Sequence, residues 1–332
     1  MKYLFFLLKI SFFALLLTGC TEFSRKKDVP LPENAVRKMV LQADLPSQSP
    51  EKNFVFLTRT NGAGQYINFD FNVGGILYRD TANPRNNIIN GVTDPFTITF
   101  DTVRGAKVSL FRNDTFLTDI KRSITDPNGV LRTDENLAPF TEGSTYKIRV
   151  TAPNFETIEA EQKVSKFIPA KKITYTKGSY TKSDGQRLSE IFIEFDDPPS
   201  SEDYYSVSVV TQSISGNLSS LVRSNRDIFT LDPLATSALT INDRGFNGQK
   251  YTWRIGTYYY GGDIYSTNIN GLYVTFRTVN KDFETYRRSV ELIEKIQNNP
   301  YVEPYSIYTN VKNGYGLFNI SGKATTVYIP LK

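Results

Sequence analysis

The densest group of residues able to do chemistry is EFDDPPSSEDYY, residues 194–205, with carboxylates at Glu194, Asp196, Asp197, Glu202 and Asp203. Alternation along a strand sets Glu194 and Asp196 on one face, and a pair of carboxylates is what glycoside cleavage requires. Several carboxylates close together also suit Ca²⁺, which takes oxygen ligands. Asp197-Pro198-Pro199, however, reads as a strand exit into a polar turn, and the spacing is not that of an EF-hand loop. No carboxylate is therefore nominated as catalytic, and the sequence leaves open whether the acidic turn from Glu194 to Asp203 holds a cation.

The 332 residues include no histidine and a single cysteine, Cys20. Without histidine there is no His-based triad, no His-ligated zinc and no side chain whose ordinary pKa lies near neutrality. Catalysis would fall to carboxylates, Lys, Tyr or Ser. Tyr258, Tyr259 and Tyr260, ahead of Gly261 and Gly262, offer flat rings with a polar tip for stacking a sugar or a partner, although strand alternation buries at least one of them. The glycine-rich spots at 61–64 and 73–75 lack the strand-to-helix context and the Lys of a phosphate cradle and read as turns. No cofactor or metal is assigned, and the expected character is non-enzymatic.

The cysteine has a different reading. Residues 1–19 carry Lys2, Lys9 and an apolar run from Ile10 to Leu17 that is too short to span a bilayer, the pattern of a secretory signal peptide. LLLTGC, residues 15–20, resembles a bacterial lipobox, in which cleavage ahead of the cysteine is coupled to acylation of its sulfur. Cys20 is thus the expected lipid attachment site. Several acyl chains, at about 0.8 kcal/mol per buried methylene, hold a protein on a membrane far more firmly than one. With its sulfur modified, the mature chain has no thiol left for a disulfide or a thiolate nucleophile. Residues 20–35 form the lipidated N-terminus and an extended, proline-marked tether. Removing the leader takes Lys2 and Lys9 from 39 basic residues and leaves 37 against 34 acidic ones. The basic residues are scattered without a stripe, which argues against nucleic acid.

These residues must be positioned by strands. Short alternating runs at 53–60, 65–73, 96–101, 106–111 and 144–150 predict a first β-sandwich over 36–167. After the link KFIPAKK, runs at 189–195, 204–210, 250–260 and 272–279 predict a second β-rich domain over 168–332. EGSTYKIRV (142–150) and NGQKYTWRI (247–255) echo one another as G-x-x-Y-x-[IW]-R-[VI], with a turn glycine and one apolar face in each. One amphipathic helix is expected over 282–297, with Phe283, Tyr286, Val290, Ile293 and Ile296 on one stripe and Asp282 as cap. The fold class is all-β, with two tandem antiparallel sandwiches and one helix near the C-terminus.

The lipobox, GAKV at Gly105–Val108, EGSTYKIRV, FDDP followed by Tyr204-Tyr205, NGQKYTWRI and TNVKNGYGLF (309–318) together resemble the Bacteroidota lipoprotein family known as domain of unknown function 4249. Most telling is the last phrase, with Asn310, Val311, Asn313, Gly314, Gly316, Leu317 and Phe318 in the family's places. The resemblance implies an outer-membrane lipoprotein with an immunoglobulin-like or carboxypeptidase-regulatory-like first domain and a β-rich second domain, encoded often beside a TonB-dependent transporter. It implies no biochemical role beyond that. Gly62–Arg104 is longer and richer in Asn and Gly than the family leads one to expect, and residues 21–27 lack the acidic run that directs such proteins to the cell surface. The function expected is that of an accessory or ligand-presenting subunit of a TonB-dependent β-barrel transporter, with a glycan or peptide as ligand. It would be lipid-anchored in the outer membrane, the cell surface favoured over the periplasmic face. A surface adhesion or envelope-structural module is the alternative, and a carboxylate-dependent glycan hydrolase resting on Glu194 or Asp196 is the third reading.

Overall fold

The computed structural model describes residues 38–46, 54–59, 88–89, 92–93, 103, 105–122, 131–132, 140–181, 183, 185, 187–199, 201–213, 218–220, 228–235, 239–258, 269–296 and 306–331. Residues 1–37, Cys20 among them, the runs at 65–73 and 96–101, and Tyr259 and Tyr260 lie outside them. The body of the protein, Arg37–Lys332, is one compact unit. Its architecture is all-β and sandwich-like, with one helix.

Alternating residues build a first sheet from β1 (Met39–Pro46), β2 (Phe54–Arg59), β5 (Lys107–Arg112), β6 (Thr115–Arg122), β7 (Leu131–Arg132), β8 (Thr145–Thr151), β9 (Ile158–Lys163) and β18 (Tyr315–Ser321). The order is β18-β1-β2-β7-β6-β5-β8-β9. A separate two-residue pair, β3 (Ile88–Ile89) and β4 (Val92–Thr93), stands apart from it. The sheet folds over a single core in which Leu41 and Leu45 of β1 meet Leu110, Ile148, Val150 and Ile158 of the other limb. Its two ends also touch, since Lys312, just ahead of β18, exchanges backbone hydrogen bonds with Glu159 of β9 at 2.8 and 3.4 Å.

From Val164, buried in that core, to Ile168, buried in the next, the chain passes into the second sandwich. One layer is β10 (Ala170–Thr181), β11 (Arg187–Asp196), β16 (Lys250–Tyr258) and β14 (Ile228–Thr230), in the order β10-β11-β16-β14. The other runs β13 (Leu218–Ser220), β12 (Tyr204–Ser213), β17 (Ile269–Val279) and β19 (Thr325–Pro330), with β15 (Thr240–Asn242) paired to β12. Phe195, Trp253, Ile255, Tyr205, Val209 and Phe276 fill the space between the layers.

The two echoed strands are β8 and β16, each internal to its sheet. Each is led in by a glycine at φ +74°, Gly143 and Gly248, a backbone geometry that costs other residues about 1–2 kcal/mol. Their apolar faces enter the two cores, while Arg149 and Arg254 turn outward onto Glu159 and, at 2.5 Å, Glu190.

The helix, α1 (Lys281–Ile296), buries Phe283, Tyr286 and Val290 as the stripe demands; the side chains of Ile293 and Ile296 lie outside the described residues. Asp282 does not serve as the cap. The helix starts one residue earlier than its spacing suggests, with the Asn280 carbonyl accepting from Phe283 and Glu284. The Asp282 carboxylate instead accepts from Gln162 Nε2 (2.8 Å) and the Tyr308 hydroxyl (2.6 Å).

The C-terminal tail departs furthest from the sequence expectation. Grouped there with the second module, Tyr315–Ser321 instead enters the first sheet as a parallel partner of β1. Ala43 lies opposite Phe318 and Leu45 opposite Ile320 on the core side; Gln42 faces Leu317 and Asp44 faces Asn319 on the other. That second face is covered by α1 and β17. Leu317 joins Tyr204, Val279, Phe283, Tyr286 and Val290 in a third apolar cluster, and Arg277 Nη2 reaches Asp44 Oδ2 at 2.9 Å. Asn319 Nδ2 donates to Asp44 Oδ1 at 2.8 Å.

The TNVKNGYGLF phrase makes this docking possible. Asn310 imitates a neighbouring strand, its Oδ1 accepting from Phe318 N and its Nδ2 donating to Phe318 O, both at 2.9 Å. Asn313 turns the chain at φ +62°. Gly316, at φ +110°, lies so close to β1 that a Cβ there would fall 1.8 Å from the Leu41 carbonyl oxygen.

Substitutions at this junction, with the turn glycine Gly143 as a reference, test how much it contributes. Gly316→Ala should cost more than about 4 kcal/mol in urea unfolding, since it combines strain with a backbone collision. Gly143→Ala, where no atom lies within 4 Å of the new carbon, should cost only about 1–2 kcal/mol. Asp44→Ala, by leaving the Arg277 guanidinium buried without its carboxylate, should lower stability by about 3–5 kcal/mol. The Asp44→Ala/Arg277→Met double variant should lose clearly less than the sum of its single changes.

Candidate functional site

One end of the second sandwich gathers three carboxylates. Asp197 follows β11, Asp203 precedes β12 and Asp243 follows β15, so each stands where a strand ends. Because β15 pairs with β12 with Asn242 opposite Tyr204, Asp243 is drawn to Asp203 from 40 residues away. One carboxylate oxygen of each of the three lies within 4.8 Å of the others.

The backbone holds them there. Asp243 N donates to the Asp203 carbonyl at 3.1 Å, and Asp197 N to the Gln249 carbonyl at 3.0 Å. Asp243 Oδ2 accepts from Asp203 N (3.0 Å) and Asn247 Nδ2 (3.2 Å). Asp197 Oδ2 accepts from Gly248 N at 2.8 Å, so the turn glycine of the echoed motif also serves this site. Asp197 Oδ1 accepts from the Tyr205 hydroxyl, whose ring is anchored in the core by stacking on Phe276 at 5.5 Å. Ser201 Oγ donates to Asp203 Oδ2 at 2.5 Å.

Burial governs the electrostatics. Asp243 has no solvent exposure and Asp197 has 4%, while Asp203 is half-buried. The Asp243 carboxyl is pushed above the usual carboxylate range, first by burial and then by the charge of Asp197, against the opposing hydrogen bond from Asp203 N. Asp203 is raised likewise by burial and by Asp243, with the Ser201 hydroxyl opposing. The Tyr205 phenol is driven far up by burial and by its bond to Asp197. Two unit charges 4.8 Å apart repel by about 3 kcal/mol at an effective dielectric of 20. Two buried carboxylates and a half-buried third therefore call for a compensating positive charge, either a proton or a cation.

The acidic stretch is thereby divided. Glu194 pairs with Lys250 at 3.3 Å and Asp196 with Lys171, both on the outer face of β11. Glu202 pairs with Arg244 at 3.1 Å. Only Asp197 and Asp203 turn inward. Asp243, which completes the set, is missed by sequence reasoning because nothing in Asn-Asp-Arg-Gly distinguishes it from an ordinary turn. The side chain of Tyr258 lies outside the described residues.

Tyr205→Phe keeps the ring in its stack and removes the donor to Asp197. Thermal or urea unfolding should report a loss of about 1–3 kcal/mol with an unchanged m-value. An unchanged midpoint would mean that Asp197 does not depend on the hydroxyl.

The sequence profile of the family described as domain of unknown function (DUF4249) matches residues 26–326, a span that takes in the first sandwich, all of the second but the end of β19, the three carboxylates and β18. The chain matches no curated protein and no solved structure. On the extent of the first match, the chain belongs to the DUF4249 family.

Proposed function

We propose that this protein is a lipid-anchored, non-enzymatic accessory of the outer membrane that docks on, or presents ligand to, a TonB-dependent transporter. The observation that carries the reading is the sole cysteine at the end of LLLTGC, behind an apolar leader and ahead of a compact body that begins at Arg37. At no more than about 3.5 Å per residue, a segment of the length between Cys20 and that body can span at most some tens of ångströms. Confinement to one membrane raises the effective concentration of a partner in the same bilayer, so an intrinsically weak contact suffices. Sandwich scaffolds supply end loops and sheet edges for such contacts.

The pairing of Glu194 with Lys250 and of Asp196 with Lys171 also favours a binding role. A hydrolytic acid and base need to face a substrate, and these two carboxylates face lysines on the surface of a strand.

The test is affinity purification of the tagged lipoprotein from membranes in mild detergent, beside a Cys20→Ala variant. A β-barrel transporter should co-purify with the native protein, and the variant should leave the membrane fraction and lose the partner. Repeated recovery of the lipoprotein alone in good yield would overturn the transporter assignment. Retention of Cys20→Ala with the membranes would overturn the anchor.

A further inference from the structure

We infer that Asp197, Asp203 and Asp243 form a binding site for a divalent cation of the calcium type. Convergence of acidic groups is not sufficient for this, since acidic turns are common. The independent observation is Asp243 Oδ1. It belongs to a side chain with no solvent exposure, and no hydrogen bond reaches it from the described residues. Buried polar atoms are satisfied as a rule, and each exception needs an explanation. Here the missing partner is a positive centre rather than another donor, because the same carboxylate lies within 4.8 Å of two more.

The donor set selects the ion. All three ligands are hard carboxylate oxygens, the chain contains no histidine, and its one cysteine is Cys20, which favours Ca²⁺ over zinc or copper. Oxygens on opposite sides of a Ca²⁺ ion with bonds of about 2.4 Å are separated by about 4.8 Å, the outer limit of the spacing among these three. Mg²⁺ demands shorter bonds and near-octahedral order, whereas Ca²⁺ accepts an irregular shell completed by water. Half-buried Asp203 gives water a way in.

Protein donors hold the carboxylates as a supporting frame, engaging both oxygens of Asp197 and Oδ2 of Asp203 and of Asp243, and each accepting oxygen keeps a further lone pair. Gly248 N and the Tyr205 hydroxyl orient Asp197, and Asp203 N and Asn247 orient Asp243. The ligands belong to the ends of three strands that meet only in the folded sandwich, so binding and folding are coupled. Three carboxylates with water match the weaker class of site, with Kd of about 10⁻⁴ to 10⁻³ M, that extracellular modules use. This inference does not depend on the proposed transporter role.

The experiment uses the purified lipoprotein in detergent, stripped with EDTA and then titrated with Ca²⁺ by calorimetry and by thermal unfolding. One Ca²⁺ should bind per chain and raise Tm by several degrees at saturation. Asp243→Asn should weaken Ca²⁺ binding at least tenfold and abolish the Tm response, while its Tm in EDTA equals or exceeds that of the native protein. Asp203→Asn, at a half-exposed position, repeats the test should Asp243→Asn not fold. Glu194→Gln, on the outer face of the same strand, should respond to Ca²⁺ as the native protein does. Absence of heat and of a Tm shift with Ca²⁺, or a native-like response from Asp243→Asn or Asp203→Asn, would overturn the site and assign the compensating charge to a proton. A response to Mg²⁺ with none to Ca²⁺ would also overturn it.

Discussion

The architecture turns on the buried ion pair between Arg277 of β17 and Asp44 of β1. Both side chains are less than a tenth exposed, and the guanidinium lies over the Phe283 ring of α1 at 5.4 Å. Removing two charges from water is costly, and their attraction offsets that cost only when geometry and supporting hydrogen bonds are good. Asn319 supplies such a bond to Asp44 from the far end of the sequence. One contact therefore joins the first sheet, the second sandwich and the C-terminal tail, and it rewards only the register in which Asp44 lies opposite Asn319.

That constraint explains why two sandwiches with separate cores form one compact unit. Strand β1 is buried on both faces. Met39, Leu41, Ala43 and Leu45 fill the first core, while Gln42 and Asp44 are covered by α1 and β17, with Gln42 Nε2 reaching the Tyr286 hydroxyl at 3.5 Å. A strand so enclosed needs a partner on each edge, and β18 provides one in parallel, a pairing that requires the chain to cross the whole body before returning. Gly316 and the Asn310 side chain are the local devices that let β18 seat against β1 without a collision or an unpaired amide.

The carboxylate triad obeys a related rule at another place. Charge is enclosed where strand ends converge, and the backbone fixes the groups before any partner arrives. The difference lies in satisfaction. At the junction Arg277 neutralises Asp44, whereas around Asp243 the described residues supply donors to one oxygen and leave the other bare. The same physical principle thus gives a closed structural pair in one case and a receptive site in the other.

Much of this protein was legible in its residues because the relevant signals are local. Period-two runs over 145–151 and 250–258, the turn glycines Gly143 and Gly248, and the three-and-four spacing of Phe283, Tyr286 and Val290 each report on a few neighbouring residues and need no knowledge of the rest. Strand β1 is not legible in its sequence, since Gln42 and Asp44 look like surface residues until α1 and β17 cover them. Nor could alternation reveal that Tyr315–Ser321 would leave the second module, because pairing across more than 250 residues depends on which polar face finds a buried counterpart. Sequence alone determined the class of fold, the strand and helix types and the candidate anchor at Cys20, all properties of contiguous residues. Only tertiary structure decided that Asp197 and Asp203 turn inward to meet Asp243 while Glu194 and Asp196 stay outside, because convergence of charge is set by where strands end in space.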